Sequence, residues 1–210
     1  MSREYSSICF MASCLGARGF TLVELGVALT VVGVLLAMGI PNAIVWMKNA
    51  QIRATADSVS TALSLARVEA LRRNVSVEFV LTDDSVQQAS PAVITPSLTG
   101  KNWMIRLYRE DGTNNSGDFI QSRAGAERTN NVRISSNAQR VVFNSLGDCS
   151  LTDPPNIAPA ISLVSDEGEC ESAGGRFRCL EVDVKPGGMI KMCDPRVDPA
   201  DPRTCAATIP

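Results

Sequence analysis

Three sets of side chains in this 210-residue sequence could do chemistry. The first is a lone carboxylate, Glu24, at the head of an apolar run that follows Arg18-Gly-Phe-Thr-Leu-Val. No charged residue stands between Leu25 and Met47. At a helical rise of about 1.5 Å per residue that stretch covers roughly 34 Å, more than a bilayer core. An ionised acid inside a bilayer costs on the order of 3 kcal/mol on insertion scales, so Glu24 needs a counter-charge. A cut between Gly19 and Phe20 would create one, because the new α-amino group could meet the Glu24 of a neighbouring copy in an assembly.

The second set is the cysteines. Cys9 and Cys14 precede that cut, which leaves Cys149, Cys170, Cys179, Cys193 and Cys205. The segment from Cys193 to Cys205 is rich in proline and has little to pack, and a Cys193–Cys205 bridge would close it into a loop worth roughly 2–3 kcal/mol. Cys170 and Cys179 flank a glycine-containing turn and form the next pair, with Cys149 left odd. This usage fits an oxidising compartment. Cys-x-x-Cys spacing is absent, which argues against a redox or metal centre.

The third set is cationic. Lys191, Arg196 and Arg203 could face phosphates, but Asp194, Asp198 and Asp201 are interleaved with the tail arginines and offset them. The sequence has no histidine, which removes the commonest general base and the usual zinc ligand. It also lacks Gly-rich nucleotide cradles. No enzyme activity, cofactor or metal is expected; Asp83 and Asp84 suit calcium by ligand type, yet adjacent loop acids are ordinarily solvated.

These groups need a long helix and a β domain to position them. After Pro41 the pattern turns amphipathic, with Ile52, Ala56, Val59, Leu63, Ala66 and Ala70 on one face. One helix is predicted from about Phe20 to Asn74, with a kink or local melting at Pro41. Then the period shortens to two, and strands are predicted over 75–81, 103–108, 132–135, 141–143, 160–164, 179–184 and 189–192. The stretches 85–100 and 111–131 read as exposed loops. Lys185-Pro-Gly-Gly188 reads as a hairpin turn. In the strand before it Leu180, Val182 and Val184 alternate with Glu181 and Asp183, an apolar face and an acidic one, with Lys191 able to oppose an acid as an exposed pair. The class is α+β, with an antiparallel β domain packed on the helix. The expected organisation is a leader over 1–19, a membrane half of the helix over 20–47, an amphipathic half over 48–74 and a β-rich domain over 75–210.

Arg18 before the apolar run keeps that end cytoplasmic and sends the C-terminal domain into the periplasm. Losing Arg3, Arg18 and Glu4 with the leader takes the formal charge from −2 to −3, which gives no bulk attraction to nucleic acid. Met11 offers a second start that would shorten the leader.

Gly19-Phe-Thr-Leu-Val-Glu24, with the apolar run and Pro41, closely resembles the class III leader and first helix of type IV pilins and type II secretion pseudopilins. Asn144-Ser-Leu-Gly147, Arg178-Cys-Leu-Glu-Val, Gly187-Gly-Met-Ile-Lys-Met-Cys-Asp-Pro195 and Asp-Pro-Arg-Thr-Cys205 are similar to the C-terminal half of the GspH/FimT group of minor pilins, nearest the FimT and FimU type. The resemblance implies cleavage after Gly19 by a prepilin peptidase, methylation of Phe20, packing guided by Glu24, and a two-sheet β domain. It further implies an inner-membrane assembly platform and other pilins as partners, and a filament primed near its tip. The alternatives are a minor pseudopilin of type II secretion and, from another class, a DNA-binding competence component. Some FimT-like proteins bind DNA through a Gly-Arg-x-Arg pattern; here the matching residues are Gly188-Met-Ile-Lys191, and Met189 removes one of the two cations.

Overall fold

The computed structural model describes residues 19–86, 94–112, 116–124, 131–153 and 157–205; the leader up to Arg18, with Cys9, Met11 and Cys14, lies outside them. The chain divides into two compact units, Met1–Asn42 and Ala43–Pro210. One helix, α1 (Leu22–Arg73), begins in the first and ends in the second.

In the first unit Leu22, Val23, Leu25, Val27, Leu29, Val31, Val32, Val34, Leu35, Leu36 and Ile40 are exposed, with Glu24 the one acid among the described side chains of that part of α1, and this helix is long and apolar enough to cross a membrane. The local melting expected at Pro41 does not occur, since the helix continues through it. Proline deletes one backbone bond, which a long helix can lose without ending. The helix starts two residues later than expected, because Thr21 caps it.

In the second unit the six stripe residues from Ile52 to Ala70 are all fully buried. The helix ends at Arg73, where Asn74 takes the left-handed conformation with φ 55° and Val75 N–H donates to the Ala70 carbonyl at 3.3 Å. That six-to-one bond satisfies a carbonyl the helix leaves open and turns Val75 back beside the last turn.

Among the described residues nine strands follow: β1 (Val77–Thr82), β2 (Asn102–Leu107), β3 (Phe119–Arg123), β4 (Val132–Ser136), β5 (Arg140–Phe143), β6 (Cys149–Asp153), β7 (Ala160–Ser165), β8 (Leu180–Val184) and β9 (Ile190–Cys193). They form two sheets, ordered β3-β2-β1-β5-β6 and β4-β7-β8-β9, with antiparallel neighbours wherever a register is defined. The helix stripe meets both. Phe79, Trp103 and Phe143 from the first sheet and Ile134, Ile161, Leu163 and Val182 from the second share one core with it. Phe79 and Trp103 pack with ring centroids 6.0 Å apart.

Two strands, β3 and β6, arise where none was expected. Phe-Ile-Gln-Ser-Arg and Cys-Ser-Leu-Thr-Asp show no clean apolar alternation, because both are edge strands supported by one neighbour. The 85–100 stretch is also not simply an exposed loop. Its Val86 and Ile94 are buried on Val80 and Met104 as a second small core, so β1 is buried on both faces. Ser97 N–H donates to the Leu81 carbonyl at 2.8 Å. Gly100 lies so close that an added Cβ would fall 2.3 Å from the Thr82 backbone nitrogen.

Candidate functional site

The first candidate site is the start of α1. Thr21 Oγ1 accepts from Glu24 N–H at 3.2 Å, and the Thr21 carbonyl accepts from Leu25 N–H at 3.1 Å. Thr21 is therefore the N-cap and Glu24 the third helical residue, the Thr-x-x-Glu spacing of a capping box. Sequence reasoning had that spacing in view and missed its local use. A carboxylate in the first turn also meets the positive end of the helix dipole. Phe20 is exposed, and a Cβ on Gly19 meets no atom within 4 Å among the described residues. Packing does not demand a glycine there.

The second candidate is the β8–β9 region with the tail. Cys170 is bonded to Cys179 and Cys193 to Cys205, with Cα atoms 5.4 and 4.8 Å apart. Cys149 is a free thiol, half-buried, and burial pushes its pKa up to about 11, which disfavours the thiolate near neutral pH. Asp194 N–H donates to the Arg203 carbonyl at 2.9 Å and so ties the two ends of the tail loop together. A carboxylate oxygen of Glu181 and the sulfurs of Cys193 and Cys205 lie within 4.8 Å of one another. Those sulfurs are bonded to each other and offer no thiolate to an ion.

The acidic face expected on β8 is not a solvated one. Asp183 is buried, and its Oδ2 is 3.8 Å from Lys185 Nζ with no hydrogen-bond partner. Lys191 stands opposite Asp183 in register, but its ammonium donates to the Thr204 carbonyl at 2.9 Å. Burial raises the pKa of Glu181, the neighbouring Asp183 carboxyl raises it further, and the hydroxyl of Ser162 opposes both. A carboxyl whose folded pKa exceeds its unfolded one adds stability below the unfolded value, and that stability is lost as pH rises through the folded value. Glu181→Gln is therefore expected to raise the melting temperature at pH 7.5 and to flatten its decline between acid and neutral pH. The gain is under about 1 kcal/mol, since water still reaches the group; an unchanged melting profile from pH 4 to 8 would contradict it.

The tail cations are engaged. Arg196 pairs with Glu171, and Arg203 grips Asp201 with both arms, at 3.1 and 2.8 Å, holding that carboxyl down to about 2. Arg178 donates to Asp194 at 2.7 Å. A phosphate at Arg196 or Arg203 would have to displace a carboxylate. Asp83 and Asp84 accept from Ser97 and from Thr95 N–H, so they order their own loop. A cleft of about 460 Å³ between α1 and β3, bordered by Ser58, Thr61, Gln121 and Arg123, is bridged by the Arg123 guanidinium donating to Ser58. Asp57 is the one carboxylate among the described residues that line it.

Where α1 ends, Arg67 links the two sheets. Its Nε donates to the Gly147 carbonyl at 2.9 Å and its Nη2 to the Gly187 carbonyl at 3.3 Å. Gly188, at φ 70°, lies so close that an added Cβ would sit 1.9 Å from the Gly147 oxygen. At the other end of the domain's helix, Lys48 pairs with Glu167 at 2.7 Å and Asn49 Oδ1 accepts from Arg178 N–H at 2.9 Å.

Among solved structures the chain is similar to the type IV minor pilin FimU of Pseudomonas aeruginosa strain PAO1, at 13% identity over 70% of this chain and 91% of that one, with a TM-score of 0.48. It is also similar to the minor pseudopilin EpsH of the type 2 secretion system of Vibrio cholerae, at 11% identity over 69% of this chain and 98% of that one, with a TM-score of 0.45. No curated protein matches the sequence. The model of the family described as type II transport protein GspH matches residues 55–188, from the amphipathic half of α1 through both sheets to the β8–β9 turn. On that match the chain belongs to the GspH family of pilin-like proteins.

Proposed function

We propose that this chain is a minor pilin of a type IV pilus that helps to prime filament assembly near the tip. In this reading residues 1–19 are a leader removed after Gly19, Phe20 becomes a methylated N-terminus, 20–47 is the membrane half of the helix, 48–74 its amphipathic half, and the β domain faces the periplasm until the subunit enters the filament. The observation that carries the reading is Glu24, an acid in the capped first turn of a helix with no other charge before Lys48. Its partners are the helices of other pilins, the prepilin peptidase and the inner-membrane assembly platform. In the bundle, packing of apolar helices and pairing of the Phe20 amine with a Glu24 hold subunits together. The match to a type II transport family favours a second reading, a minor pseudopilin of a secretion system.

Mass spectrometry of the protein from its native membranes tests the processing step. The expected N-terminus is methylated Phe20; an intact initiator methionine would overturn the reading. Deleting the gene is expected to remove pili and leave secreted enzymes unaffected, and the reverse pattern would select the pseudopilin.

A further inference from the structure

The Cys193–Cys205 bridge is accessible from one side and carries an acid on the other. Cys193 is fully buried, whereas Cys205 is half-buried, so an incoming thiolate reaches Cys205 first and Cys193 becomes the leaving group. A thiolate shut away from water leaves slowly, because burial raises its pKa and the rate of exchange falls as the leaving thiol's pKa rises. A proton delivered as the S–S bond breaks removes that penalty. Glu181 is placed to deliver it. It is the direct cross-strand partner of Cys193, and one of its carboxylate oxygens and the two sulfurs lie within 4.8 Å of one another, a gap that a proton crosses directly or through one water.

The surroundings of Glu181 suit a proton carrier. On its own strand Asp183 is buried with one oxygen unpartnered, and Lys185 just past it stands 3.8 Å from that oxygen. From β7 the Ser162 hydroxyl donates to Glu181 at 3.1 Å. From β9 Lys191 is turned to the Thr204 carbonyl. Burial and Asp183 raise the pKa of Glu181, Ser162 and Lys185 oppose them, and the rise prevails. Cutting the bridge leaves the bonds of Asp194 N–H to the Arg203 carbonyl and of Lys191 to the Thr204 carbonyl in place, so Cys205 stays beside Cys193 and the bridge can close again.

We propose that Cys193–Cys205 is a reversible thiol–disulfide exchange site for an external dithiol, with Glu181 as its proton donor and acceptor. One thiolate of the dithiol bonds to Cys205 Sγ, and Cys193 Sγ leaves with the bonding pair and takes the Glu181 proton. The second thiol of the dithiol, its proton lost to water, attacks the mixed disulfide, and Cys205 leaves as a thiolate that water protonates. The dithiol departs as a disulfide, the bridge has gained two electrons as two thiols, and Glu181 regains its proton from water. In the reverse direction the Glu181 carboxylate takes the Cys193 proton as the bridge forms.

The test reduces the full chain, extracted from its native membranes in detergent, with tris(2-carboxyethyl)phosphine between about pH 4 and about pH 8. The phosphine also attacks one sulfur and expels the other as a thiolate, and it works in acid. Freed cysteines are alkylated and counted by peptide mass spectrometry. The rate at Cys193–Cys205 is divided by that at Cys170–Cys179 in the same sample, which cancels the protonation state of the reagent. In acid the ratio is expected to be roughly tenfold higher in the unsubstituted chain than in Glu181→Gln, and the advantage vanishes as pH rises through the folded pKa of Glu181. Glutamine and protonated glutamate are both neutral in acid, so stability does not separate the two chains there. Ser162→Ala removes a bond that favours the carboxylate and moves the loss of the advantage to higher pH. If Glu181→Gln does not fold, the pH step of the unsubstituted chain and its shift in Ser162→Ala decide. Equal ratios in acid, a ratio without a pH step, a step that Ser162→Ala leaves in place, or no reduction of Cys193–Cys205 short of global unfolding would each overturn the proposal.

Discussion

Glu24→Ala is expected to leave cleavage after Gly19 and membrane insertion intact while filament incorporation falls roughly a hundredfold, the equivalent of about 3 kcal/mol. Removing the acid makes insertion easier, so the amount of protein in the membrane does not fall. On the minor-pilin reading assembly should suffer, because a Phe20 amine would then enter a bundle of apolar helices with no carboxylate to meet it. The capping geometry supplies a competing explanation only through the side chain: the observed cap bond runs from the Glu24 backbone N–H to Thr21 Oγ1 and survives in alanine, whereas a polar side chain at this position can reach back to the Thr21 N–H, a contribution of under about 1 kcal/mol. Glu24→Gln separates the two. Glutamine serves a capping box as well as glutamate does but carries no charge, so it should fail as badly as alanine if the ion pair matters. Immunoblots of sheared filament and membrane fractions give the answer. Normal incorporation of the glutamine variant alone would reduce the acid to a cap, and normal incorporation of both would refute its role in assembly.

The largest expected loss of stability lies on the face of β1 away from the helix. Glu78 and Arg106 are direct partners across β1 and β2, both fully buried and ion-paired, with Arg140 at 3.9 Å from the second carboxylate oxygen. Removing one member of such a pair strands a desolvated charge, so Glu78→Ala should destabilise the domain by about 3–5 kcal/mol. Replacing the pair together, as Glu78→Leu with Arg106→Met, removes both desolvation costs and is expected to be neutral or stabilising by roughly 1–4 kcal/mol. Denaturant unfolding of the detergent-extracted chain with its disulfides intact measures both. A mild loss in Glu78→Ala would mean that water already reaches the pair.

This cluster was also invisible in the sequence. Glu78 and Arg106 sit in strands that alternate as though one face were solvated, and nothing local announces that Val86 and Ile94 return to cover that face. The same cause hid the burial of Asp183, which sits between two neighbouring strands, β7 and β9. Features encoded by short-range pattern were legible: the apolar stripe of α1, the α+β class, the β8–β9 turn and the acid at the head of an uncharged run. The edge strands β3 and β6 were not, since a strand with one neighbour and mixed polarity carries little period-two signal. Thr21 was legible in principle, through a spacing whose local meaning was eclipsed by the membrane question.

The bond network of Arg67 has a bearing on how the domain comes apart. Two sheets of separate strand order could open independently, each as its own cooperative block. One guanidinium on the helix grips a turn belonging to each sheet, and Gly188 abuts the Gly147 carbonyl. Loosening either turn forfeits the anchor of the other, so helix and sheets are expected to melt as a single unit rather than sheet by sheet.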